Sequence, residues 1–140
     1  CSYCRRAHLD LKKIISDDKN IKVIYKNYPI LSENSLKLAK YALIISEIDK
    51  KKFVKFHNLI LTNKGMINDE VLNSILSKLD IDKNFLEKKI DDEEINQKLK
   101  NDIELARNLD LRGTPAFIIS DEIFFGYINK EDMVSIINQQ

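Results

Sequence analysis

The sequence predicts an α/β fold carrying a large helical insertion, and three observations lead there. Apolar residues recur at helical spacing through most of the chain. Short β-branched or aromatic runs at residues 21–26, 116–119 and 123–125 interrupt that periodicity towards the two ends. Cys1 and Cys4, the only two cysteines among 140 residues, form a Cys-x-x-Cys at the head of the first helical segment. A chain of this length is read as one domain, 1–140, large enough to bury a core without disulfide staples, so the two cysteines point to chemistry.

Each element has its own signal. Over residues 4–16 Ala7, Leu11, Ile14 and Ile15 recur every three or four positions, and Ser16-Asp17-Asp18-Lys19-Asn20 stops the helix with turn formers. Residues 21–26 are short and β-branched and end at Asn27-Tyr28-Pro29, which predicts a strand of a covered sheet. Residues 33–61 read as two helices: Leu38, Tyr41, Ala42, Ile45 and Ile48 line one face, the run Lys50-Lys51-Lys52 marks a break, and Phe53, Phe56, Leu59 and Ile60 resume the pattern. Lys64-Gly65 is a stop, after which Asn68 or Asp69 can cap a helix carrying Val71, Leu72, Ile75, Leu76 and Leu79. Asp82 starts a short segment with Phe85, Leu86 and Ile90. From Asp92, acids in the first turn favour the dipole of a longer helix with Ile95, Leu99, Ile103 and Ala106, ending near Asp110. Residues 116–119 and 123–125 are joined by Ser120-Asp121-Glu122, too short a link for anything but an antiparallel hairpin. A last helix over 129–138 buries Met133, Val134, Ile136 and Ile137.

Composition excludes some partners. With 23 basic and 22 acidic residues the net charge is +1, so no global field draws the protein to nucleic acid or to an anionic membrane. No stretch approaches the roughly 20 apolar residues that a bilayer needs; Tyr41-Ala42-Leu43-Ile44-Ile45 is interrupted at once by Ser46 and Glu47. Arg5, Arg6, Arg107 and Arg112 are the only arginines in a lysine-rich chain.

Two cysteines three apart at a helix start can close a small disulfide ring, and the first sits where orphan N–H groups and the helix dipole favour a thiolate, making it both nucleophile and leaving group. The alternatives are a structural disulfide, or half of a zinc site completed by His8 or His57; structural zinc wants four ligands, and the chain offers two cysteines and two histidines. A rival of another class is a non-catalytic binding module holding a soft metal, Cu(I) or zinc, through Cys1, Cys4 and a histidine. His8, one turn beyond Cys4, is a proton carrier, a ligand, or a plain helix histidine. His57, between Phe56 and Leu59, reads as a packed residue of the insertion.

A Cys-x-x-Cys at a helix start, then β, then helices, then Gly113-Thr114-Pro115-Ala116-Phe117 leading into a hairpin and a closing helix, resembles the thioredoxin superfamily. The helical block at about 33–110 resembles the insertion of the DsbA-like thiol:disulfide oxidoreductases. The resemblance covers the whole chain and rests on two motifs far apart and in the right order. It implies thiol–disulfide exchange on cysteine-containing secreted proteins, with Cys1 as nucleophile, Cys4 as buried resolving thiol, Ser2 and Tyr3 tuning the redox poise, and Gly113, Thr114 and Pro115 as a substrate-binding loop whose Thr114–Pro115 bond is cis. An X-Pro bond is the only common place for a cis peptide; the other reading of Pro115 is a trans proline opening an edge strand. Ser2-Tyr3 matches neither the Gly-Pro of thioredoxins nor the Pro-His of strongly oxidising members, so oxidase, isomerase and reductase directions stay open. Arg5 and Arg6 either lower the Cys1 pKa somewhat or are solvated helix surface. Lys26 stands where the family often keeps a charged residue near the buried thiol. The resemblance further implies no cofactor and no metal, a redox partner protein that regenerates the pair, and a periplasmic or other extracytoplasmic location.

In that fold a strand runs directly into the Cys-x-x-Cys helix at the centre of the sheet, and nothing precedes Cys1 here. The expectation is a longer natural protein with a targeting signal and at least one strand upstream, and a 1–140 chain that does not fold alone.

Overall fold

In the computed structural model, which describes residues 1–140, helix starts are set by side chains that accept the orphan N–H groups of the first turn. Cys1 opens α1 (Ser2–Asp17) by accepting from the Cys4 N–H. Ser32 opens α2 (Glu33–Ile48), Asp49 opens α3 (Lys50–Thr62), Asn68 opens α4 (Asp69–Lys78) and Asp82 opens α5 (Lys83–Lys89). After α6 (Glu93–Asn108) come β1 (Ala116–Ile119) and β2 (Glu122–Phe125), then α7 (Lys130–Asn138), capped by Asn129. The two strands pair antiparallel, Ala116 opposite Phe125 and Ile119 opposite Glu122. The tight turn between them needs a left-handed residue, and Ser120 takes it at φ 55°.

Three expectations are corrected. The break within residues 33–61 falls at Asp49, not at the lysine run. Asp49 ends α2 and its carboxylate accepts the N–H groups of Lys51 and Lys52, so the three lysines become the first turn of α3 despite the unfavourable dipole. Residues 21–26 form no strand. A strand exists only through its ladder, and the sheet consists of β1 and β2 alone. The segment keeps a strand's alternation, with Val23 and Tyr25 half-buried and Lys22, Ile24 and Lys26 exposed. Ile48 is 56% exposed; it is the last residue of α2, whose buried face runs through Ala39, Tyr41, Ala42, Ile44 and Ile45.

The chain divides into two compact units. One comprises Cys1–Lys26 and Ala106–Gln140. Within it α1 packs on α7, and Ala7 and Ile14 of α1 and Met133 of α7 are buried. Lys130 Nζ donates to Asp17 Oδ2 at 2.7 Å, and that hydrogen bond holds the Asp17 carboxyl below the usual carboxylate range. The other unit is Asn27–Leu105. Its core is a helical cluster centred on Tyr41, Ile44, Ile45, Phe56, Leu72, Leu76, Leu86 and Ile95. Two buried polar groups of this unit are satisfied: the Tyr41 hydroxyl donates to Glu87, and the Asp102 carboxylate accepts the Asn27 N–H at 2.8 Å and its Nδ2 at 3.3 Å. No helix is long and apolar enough to cross a membrane.

Candidate functional site

Cys1 and Cys4 are joined in a disulfide, their Cα atoms 5.2 Å apart, within the first turn of α1. The helix itself supplies the local electrostatics. The Cys4 N–H donates to Cys1 Sγ at 3.1 Å, and no acidic residue occupies the first turn. Cys1 is exposed and Cys4 half-buried, so an external thiolate meets one end of the bond before the other.

Thr114 is brought to the pair from the far end of the sequence. Just beyond α6 the backbone turns at Asp110, φ 53°, and the Leu111 N–H donates back to the Ala106 carbonyl. Residues 111–115 then lead into β1, and the Gly126 N–H at the end of β2 donates to the Pro115 carbonyl at 3.0 Å. The Thr114–Pro115 bond is cis. The Thr114 carbonyl oxygen lies 3.5 Å from Cys1 Sγ. Its hydroxyl oxygen lies 3.3 Å from Cys4 Sγ and 3.8 Å from Cys1 Sγ. A disulfide sulfur has no proton, so here the hydroxyl is the donor. Gly113 is exposed with nothing within 4 Å of where a Cβ would stand, so no close approach demands a glycine there.

Ser2 and Tyr3 are exposed. The Tyr3 ring centroid is 6.4 Å from that of Tyr127, and the Arg6 guanidinium lies over the Tyr127 ring at 5.8 Å. The Tyr127 hydroxyl donates to Asp10 Oδ2 at 2.6 Å, which raises the phenol's pKa. Sequence reasoning missed Tyr127 and Asp10. The one legible signal was that Tyr3, Arg6 and Asp10 share a helical face at spacings of three and four; nothing in the sequence placed Tyr127 opposite that face.

The histidines do not join the cysteines. His8 is buried, 4% exposed, and His57 is half-buried with its ring 5.6 Å from that of Phe53. Nowhere do three or more His, Cys, Asp or Glu side chains come together in a way that could hold a metal ion, so neither the half-zinc site nor the soft-metal set of Cys1, Cys4 and a histidine assembles. Lys26 is exposed.

Residues 1–138 match the DSBA-like thioredoxin domain. Among solved structures the chain is similar to the thiol-disulfide exchange protein alpha-DsbA2 from Wolbachia pipientis, with 35% identity and a TM-score of 0.88, over 99% of this chain and 75% of that one. It is also similar to a thioredoxin-like oxidoreductase from Silicibacter pomeroyi DSS-3, with 25% identity and a TM-score of 0.90, over 99% of this chain and 79% of that one. Among curated proteins it is 22% identical over 142 residues to Na(+)/H(+) antiporter NhaA 1 from Salinispora arenicola; the match takes in 98% of this chain and spans 21% of that protein's length. The arrangement of α1, the helical block, the hairpin and α7 is thus the thioredoxin-like fold with a helical insertion, as found in DsbA-like thiol–disulfide oxidoreductases. Matched by that domain along nearly its whole length, with a disulfide-bonded Cys-x-x-Cys at the head of α1, the chain belongs to the DSBA-like thioredoxin domain family.

Proposed function

We propose that this protein carries out thiol–disulfide exchange on cysteine-containing secreted proteins through Cys1 and Cys4, within a single catalytic domain whose helical insertion occupies about residues 33–110. The observation that carries the reading is the asymmetry of the pair: an exposed Cys1 whose sulfur accepts the Cys4 N–H at the head of α1, bonded to a half-buried Cys4.

In the oxidising direction a substrate thiolate attacks Cys1 Sγ. The Cys1–Cys4 bond breaks, Cys4 leaves as a thiolate, and substrate and Cys1 are joined in a mixed disulfide. A second substrate thiolate attacks the substrate sulfur of that bond, and Cys1 leaves as a thiolate stabilised by the Cys4 N–H and the helix start. Two electrons have passed from the substrate dithiol to the pair, and its thiol protons to solvent. Run in reverse, the Cys1 thiolate attacks a substrate disulfide, which gives reduction, or isomerisation when a different substrate thiol resolves the intermediate. All bond changes are at sulfur, so no organic cofactor or metal takes part. Gly113, Thr114 and Pro115 serve as the substrate loop: an extended segment held there presents its cysteine to Cys1, because the Thr114 carbonyl is 3.5 Å from Cys1 Sγ. Ser2 and Tyr3, between the two sulfurs in sequence, tune the poise. A redox partner protein restores the pair after each turnover, in a periplasmic or other extracytoplasmic compartment where disulfides persist.

Insulin reduction and oxidative refolding of a reduced disulfide protein, each at a fixed glutathione poise, test the reading. Acceleration of at least one, abolished in Cys1→Ser, is the expected result. No acceleration of either by protein with an intact pair overturns it.

A further inference from the structure

Of the 23 basic residues only four are arginine, and three of these flank the site: Arg5 and Arg6 directly follow Cys4, and Arg112 stands two residues before Thr114. Arginine differs from lysine in offering carboxylates a planar two-donor fork and in stacking on aromatic faces. Arg6 does the second, with its guanidinium over the Tyr127 ring at 5.8 Å. Its natural partner on α1 is Asp10, four residues on. That pairing is not made. Asp10 instead accepts the Tyr127 hydroxyl at 2.6 Å, with Lys13 Nζ at 4.0 Å.

Tyr127 therefore keeps the two charges apart, its ring supporting the cation while its hydroxyl occupies the anion. The exposed Arg6 is left facing solvent, with Tyr3, 57% exposed, on the same aromatic floor. Five residues along the helix put Arg6 about 7.5 Å from Cys1 along the axis, the reach of two or three residues of an extended substrate.

We propose that Arg6, seated on Tyr127 beside Tyr3, is a specificity-determining residue that recognises a carboxylate on the substrate, so that cysteines flanked by Asp or Glu are exchanged faster than those flanked by neutral or basic residues. The inference rests on the thiol-exchange reading above. Its test uses three dithiol peptides identical except for a Glu, Gln or Lys beside the reactive cysteine, and reads the ratios of their kcat/KM. A change in Cys1 reactivity multiplies all three rates alike and leaves the ratios untouched; only recognition of the flanking residue moves them.

The native protein is expected to favour Glu over Lys by about two- to fivefold at low salt, the scale of one exposed ion pair, with the ratio shrinking as ionic strength rises. Arg6→Gln brings the ratio to one. Tyr127→Phe keeps the ring but releases Asp10 to pair with Arg6, and lowers the ratio as well. Equal rates for the three peptides in the native protein, or a Glu preference that persists in Arg6→Gln, overturns the proposal. Exchange with none of the peptides overturns the redox reading beneath it.

Discussion

The Thr114 hydroxyl, 3.3 Å from Cys4 Sγ and 3.8 Å from Cys1 Sγ, is a donor placed where negative charge develops when the pair is reduced. A thiolate accepts a hydrogen bond more strongly than a disulfide sulfur does, so the hydroxyl favours the reduced form. Thr114→Val is therefore expected to make the couple more reducing. One hydrogen bond is worth about 1 kcal/mol, and about 30 mV corresponds to 1.4 kcal/mol for this two-electron couple, so the shift is about 20 mV downward. Equilibration with glutathione measures it, and an unchanged or raised potential would remove Thr114 from the account. At this scale the sequence was legible where a motif is local: the cysteine spacing and the Thr-Pro dipeptide each mark themselves. It was silent on Tyr127 and Asp10, 117 residues apart, because a hydroxyl–carboxylate contact between distant segments leaves no periodic trace.

Capping makes elements legible, and burial decides what they carry. Asn68 and Asp82 mark the starts of their helices because a short polar side chain before an apolar run has one common use, while Asn129, read as the first residue of the last helix, is its cap. Asp49 is hidden beside the run Lys50-Lys51-Lys52, which reads as a break, whereas its carboxylate accepts two N–H groups and starts α3 there. Asp102 escaped because it interrupts the apolar face of α6, and only the fold shows that it satisfies Asn27. The contact of α2 with α5 has a consequence in pH. Burial pushes the Tyr41 phenol well above its ordinary value, and the Glu87 carboxylate that accepts its hydrogen bond adds to the effect. The folded state thus binds this proton more tightly than the unfolded chain, whose tyrosines titrate near 10. The stabilisation is complete below about pH 10 and is lost as pH rises above it. Tyr41→Phe is expected to cost about 1 kcal/mol at neutral pH and to flatten the alkaline fall in stability, measured by urea unfolding at a series of pH values. A native-like alkaline slope in the variant would contradict this.

Across the whole molecule, helices and the antiparallel hairpin are readable because their hydrogen bonds are local, although Glu122, read as part of the link, opens β2 opposite Ile119. Residues 21–26 were misread because a strand depends on a neighbour that propensity cannot supply, and Ile24 stands 68% exposed. The near-neutral charge of +1 provides no global field that would steer a highly charged partner to the molecule. The division of labour between an exposed attacker and a half-buried resolver is the central claim, and trapping of mixed disulfides tests it most directly. Reduced Cys4→Ser and Cys1→Ser proteins are offered a disulfide-containing substrate and analysed by non-reducing electrophoresis and mass spectrometry. Cys4→Ser is expected to accumulate a covalent adduct through Cys1, because the resolving thiol is gone, while Cys1→Ser accumulates none. Equal adducts in the two variants, or an adduct confined to Cys1→Ser, would contradict the account.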